Sequence, residues 1–177
     1  MKTRRWIPAS FAAALVVGVG IGTAAEVQAT PSTAKTIVLA QATIAPLHIT
    51  AHNKTAAGQP WAAMLRTRGL TDGYVVDNKF APGQGTGWHS HSGPSLIFVV
   101  SGSVTNYDSS APHCAGVTYQ AGSSFIDEGG SDVHMLRDDG TVQAETIAVQ
   151  FIPSGQARSI DEPVPPCCKA VAKPAAK

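Results

Sequence analysis

The chain has 177 residues, of which only 14% are charged, with 13 Lys/Arg against 12 Asp/Glu and a net charge of +1. Proteins on average carry roughly a quarter charged residues, so this sparsely charged, near-neutral chain offers no basic footprint for nucleic acid. After residue 30 no stretch is long and apolar enough to cross a bilayer as a helix.

The first residues, MKTRRWIPAS, carry Lys2, Arg4 and Arg5, and an apolar run follows from Phe11 to Ile21. A basic segment, a short apolar segment and then small residues is the layout of a secretory signal peptide, with cleavage after Ala25 or Ala29. Residues 1–29 are read as that signal, with an uncleaved anchor as the alternative. The Arg4-Arg5 pair permits twin-arginine export, although "TRRWIP" lacks most of that motif. The expected destination is the periplasm or the medium, with no membrane attachment after cleavage. About 148 residues remain, the size of one domain.

The remainder reads as short alternating runs punctuated by glycine. KTIVLAQATI (35–44) is strand-like, PWAAML (60–65) is a strand or a helical turn, and GYVVDNKFAPG (73–83) ends in a Pro-Gly turn. GWHSH, SLIFVVSG and SVTNYDS follow, the last two expected to form a hairpin through the tight VSGSV link. GVTYQAG, SSFIDEGG, DVHMLRDDG and VQAETIAVQFIPSG continue the pattern to residue 155. Many short strands at regular spacing, without helical periodicity between 70 and 155, predict an all-β antiparallel barrel or sandwich. The expected division is an N-terminal strand or strap at 30–70, a barrel at 71–155, and a C-terminal strap with a disordered tail at 156–177.

Cys114, Cys167 and Cys168 are the three cysteines. In an exported chain Cys114 is expected to pair with one of the vicinal two, pinning the C-terminal strap across a loop of about fifty residues. The alternative is three reduced thiols. A metal cluster built on them and His113 lacks any Cys-x-x-Cys spacing.

The segment APGQGTGWHSHSGPSLIFVVSG (81–102) concentrates the chemistry. Residues i and i+2 of a strand share a face, so His89 and His91 point together, away from Trp88 and Ser90. Two imidazoles on one face form half of a divalent-metal site. The spacing resembles the first motif of the cupin family: Gly83, five residues, His89-x-His91, three residues, a site for glutamate, six residues, Gly102. The glutamate position holds Ser95. A looser likeness to the second motif follows in GSSFIDEGGSDVHMLRD. There Gly122 opens the motif and His134 is its histidine, while Gly129, Ser131 and Asp138 stand where Pro, Gly and Asn belong.

The resemblance implies a single-domain jelly-roll β-barrel open at one end, in which His89, His91 and His134 converge on a divalent transition metal (iron, manganese, nickel, copper or zinc). A serine is a poor ligand, so Ser95 is expected to hydrogen-bond a metal-bound water. Three neutral imidazoles leave the ion's charge uncompensated, which favours a small anionic or chelating ligand. By the same resemblance the chain is a dioxygenase-like enzyme on a small anionic or enolisable substrate. The alternative is a non-catalytic ligand-binding module with a weak or lapsed metal site. A metal-independent isomerase would need an acid–base pair that the sequence does not offer. Cupins often dimerise, which allows a homodimer.

Other candidates carry less. Arg137 is placed either at the cavity mouth, meeting a bound anion, or on the surface. Asp127, Glu128 and Asp132 read as solvated turn acids, and Asp138-Asp139-Gly140 as a hairpin turn. His48 and His52 lie in extended chain without a role, and Trp88, Phe98 and Phe125 read as core.

Overall fold

The computed structural model describes residues 29–171. Residues 1–28 of the expected signal sequence and the end of the expected tail lie outside the described residues.

Two five-stranded antiparallel sheets face each other. The first orders its strands β1 (Lys35–Ile44), β4 (Thr71–Phe80), β11 (Ala144–Pro153), β6 (Ser95–Ser101) and β9 (Ser124–Asp127). The second orders β12 (Ile160–Asp161), β5 (His89–Ser90), β10 (His134–Arg137), β7 (Ser103–Asp108) and β8 (Gly116–Gln120). A separate hairpin of β2 (His48–Lys54) and β3 (Pro60–Arg66) is exposed along its whole length, so PWAAML is a strand. The sheets extend beyond the expected 71–155 span on both sides, because β1 pairs with β4 and β12 pairs with β5.

Period-two alternation builds the core. On β11, Ala144, Thr146, Ala148, Gln150 and Ile152 are buried, and the residues between them are not. Val76, Phe80, Ile97, Val99, Val104, Phe125 and Leu136 pack with them between the sheets. A second cluster lies on the outer face of the second sheet, where Trp88, Tyr107 and Met135 pack with Cys114 and Cys168. Cys114 is bonded to Cys168 across 54 residues of sequence, which seats the C-terminal strap on that cluster and leaves Cys167 exposed and free.

Two turn expectations are corrected. The VSGSV link is not a hairpin: β6 pairs with β11 and β9, whereas β7 pairs with β10 and β8. Gly102 carries the chain from one sheet to the other. Its φ is +64°, and a Cβ there would come within 2.8 Å of the Ala144 backbone, so both the conformation and the close approach require glycine. Asp138-Asp139-Gly140 likewise links strands of different sheets, and Asp138 is fully buried with its carboxylate accepting from the Gly140 N–H. Phe98 is also corrected, since it is 46% exposed. The run SLIFVV is apolar on both faces, and the face that turns inward carries Ser95, Ile97 and Val99.

Candidate metal centre

The second sheet and the loops at its end bring the three motif histidines together. His89 lies opposite His134 in the β5–β10 pairing, and His91 follows just after β5. The two motif loops are joined where the Gly130 N–H donates to the His91 carbonyl at 2.7 Å. All three imidazoles are buried, with ring centroids 4.4–5.4 Å apart, and one ligating nitrogen of each lies within 4.8 Å of the others.

Each ring is oriented from behind. The Nδ1 atoms lie 3.1 Å from the Gly87 carbonyl oxygen for His89, 2.6 Å from that of Arg158 for His91, and 3.4 Å from that of Asp132 for His134. A carbonyl only accepts, so Nδ1 carries the hydrogen and Nε2 presents a lone pair to the centre. Burial pushes the His89 and His91 pKa values below the ordinary histidine range, and the neighbouring imidazoles add to this, which favours the neutral, ligating form.

The histidines open onto a cavity of about 500 Å³. Ile97, Leu136 and Ala148 line its apolar part. Its polar part is a chain of side chains in which Arg158 donates to Gln150 at 3.3 Å and Gln150 donates to Ser95 Oγ at 3.0 Å. Ser95 is 1% exposed and faces the cavity, as its place in the motif requires. Burial lowers the Arg158 pKa from its very high ordinary value.

Arg137 is absent from this cavity. It is three residues after His134, and strand alternation turns it to the opposite face. There it donates to Asp139, the Tyr107 hydroxyl and the Val171 carbonyl, holding the strap. The cation that lines the cavity is instead Arg158, which lies in the loop before β12 and carries no sequence signal.

Asp127 is the other correction. It is not a solvated turn acid: it is 2% exposed, at the inward end of β9. Its Oδ2 lies 3.3 Å from His91 Nε2 and 3.7 Å from His134 Nε2. The signal was present in the sequence, because Phe125 and Asp127 stand two apart and share the core face. Asp132 is partly exposed beside His134 Nδ1, with burial raising its pKa, and Glu128 is exposed. Among the described residues His48 and His52 sit on the exposed hairpin, away from this centre.

The donor set fits a divalent cation. Three anchored imidazoles present their lone pairs together, and a buried carboxylate oxygen beside them has no hydrogen-bond donor.

No family model matches the chain, and no curated protein does. Similar solved structures include an uncharacterised conserved protein with a double-stranded β-helix domain from Klebsiella pneumoniae subsp. pneumoniae. It is 18% identical over 67% of this chain and 85% of that one, with a TM-score of 0.43. Another is a cupin superfamily protein from Desulfitobacterium hafniense, 11% identical over 71% and 83%, with a TM-score of 0.43. An oxalate oxidase in complex with the substrate analogue glycolate is 18% identical over 48% of this chain, which spans 44% of its length, with a TM-score of 0.41. The fold is read from the chain's own strands: from β4 onward consecutive strands cross between the two antiparallel sheets at every step except β7 to β8, and the three motif histidines are all buried. In fold, this chain is a cupin-type double-stranded β-helix.

Proposed function

We propose that this chain is an exported cupin that holds a divalent transition metal on His89, His91 and His134 and acts as a dioxygenase-like oxidoreductase on a small anionic or enolisable substrate. The observation that carries the reading is the shared orientation of the three imidazoles, each with Nδ1 facing a main-chain carbonyl and its second nitrogen free toward the centre. Export rests on the basic-then-apolar leader, MKTRRWIPAS and the run after it.

When bound, the ion supplies Lewis acidity and, if it is iron, manganese, nickel or copper, redox chemistry with dioxygen. The chain supplies the rest. Arg158 places a half-buried guanidinium in the cavity wall, where it attracts an anionic group and orients it toward the histidines. Gln150 and Ser95 offer a hydrogen-bonding edge alongside, and the Ser95 hydroxyl hydrogen remains available to a guest oxygen. Ile97 and Ala148, two residues along the same strands, and Leu136 keep the adjoining part of the lining apolar and strengthen every charge interaction inside.

The test is oxygen uptake by metal-loaded protein against a panel of small carboxylates, enolisable ketones and thiols. Turnover that His91→Ala loses supports the enzyme. Saturable binding of the same anions without oxygen uptake, for any loaded metal, would overturn the oxidoreductase reading and make the chain a non-catalytic binding module.

A further inference from the structure

Resting on the three-histidine reading above, we propose that Asp127 is a fourth protein ligand, so that the carboxylate missing at position 95 enters the site from the neighbouring strand.

The register carries this. β6 and β9 run antiparallel with Ser95 directly opposite Asp127, and both side chains turn into the barrel. A carboxylate on β9 therefore reaches the space that a longer side chain at 95 would have filled from β6.

The carboxylate is held as a ligand would be. Its Oδ1 accepts the Gly129 N–H at 2.8 Å. Gly129 has a φ of +74°, and a Cβ there would lie 2.4 Å from the Gly93 carbonyl oxygen, so this turn needs glycine. The other oxygen, Oδ2, is buried and has no donor. A bare buried carboxylate oxygen is costly unless something positive meets it.

What it meets is two lone pairs. Nδ1 of both His91 and His134 faces a main-chain carbonyl, so Oδ2 confronts the unprotonated Nε2 atoms at 3.3 and 3.7 Å. Three acceptors so close repel one another unless a proton or a metal cation lies among them. Ligand bonds of about 2.0–2.2 Å set neighbouring donor atoms about 3.0 Å apart at right angles and about 3.5 Å apart in a tetrahedron. The 3.3 Å separation falls between these two edges, and the 3.7 Å one lies just beyond the longer. An ionised Asp127 also offsets one of the ion's two charges, and the mixed nitrogen and oxygen set suits manganese or iron as well as zinc. Ser95 is left to its hydrogen bond with Gln150.

The test uses purified protein without affinity-tag histidines, stripped of metal and titrated separately with Mn(II), Fe(II) and Zn(II) by calorimetry. Asp127→Asn keeps the shape and the acceptor for Gly129. It is expected to weaken the tightest ion by about 100-fold or more, at or beyond the range for losing an outer partner. Adding Ser95→Glu to that variant restores a carboxylate from the opposite strand and is expected to recover most of the affinity. A structure of the metal-loaded wild type, which does not depend on the variants folding, is expected to place Oδ2 about 2.0–2.2 Å from the ion. Unchanged affinity in Asp127→Asn, with His134→Ala abolishing binding, overturns the Asp127 assignment and leaves the three-histidine site standing. So does a loaded structure with Oδ2 outside the coordination sphere, paired instead with a protonated His91. If the wild type itself takes up no ion, the three-histidine reading fails and the Asp127 assignment falls with it.

Discussion

Each imidazole of the centre is fixed by a main-chain carbonyl, so its orientation survives changes in neighbouring side chains. Arg158 is different. Its guanidinium is tied among the described residues only to Gln150, which leaves donors free for a guest. Arg158→Gln is therefore expected to weaken binding of an anionic ligand by about 1.5–3 kcal/mol, the contribution of a charged hydrogen bond. Metal content is expected to be unchanged, which elemental analysis beside ligand titration checks. Equal loss of metal and ligand would make Arg158 a support for His91, whose Nδ1 its carbonyl accepts. Of these residues the histidines were legible, because i and i+2 on a strand must share a face whatever the fold. Asp127 was legible in principle through Phe125, but an acid two residues before a Gly-Gly turn reads as a turn residue until the turn is seen folded inward. Arg158 was not legible at all. It sits in a loop whose path is set by β12 pairing with β5, a contact far from it in sequence.

At the scale of strands and straps, alternation told which residues face together, but not which face is inside or which strand is the partner. SLIFVVSG and SVTNYDS look like a hairpin because a tight glycine link joins two β-rich runs. A jelly roll uses the same signal to send the chain across to the opposite sheet. The outward Phe98 has the same origin, since an apolar residue on either side of every position hides the period. The C-terminal strap was better marked. Cys168 is buried against Trp88, Tyr107 and Met135, and its bond to Cys114 closes a long loop. Cys114→Ser is expected to lower stability by about 2–4 kcal/mol, from the freed loop entropy and the loosened cluster. Cys167→Ser, which removes an exposed thiol, is expected to stay within about 0.5 kcal/mol. Denaturant titration of both variants under oxidising conditions distinguishes this from a strap held by packing alone, for which both would be silent.

For the molecule as a whole, two sheets between which the chain mostly alternates enclose a cavity, with the polar residues and the apolar core at successive inward positions of the same strands. The barrel and its histidines were legible because the glycine-to-histidine spacings of both motifs are local in sequence. The polar chain from Arg158 to Ser95 was not, because it joins β6, β11 and the loop before β12. The proposed function requires the barrel to hold a divalent ion. The most direct measurement is metal analysis of protein purified without chelator or affinity-tag histidines, and again after reconstitution, beside His89→Ala and His134→Ala. Close to one transition-metal ion per chain is expected in the wild type, with loss of it in both variants. Protein that holds no ion even after reconstitution, or variants that keep the ion, would contradict it.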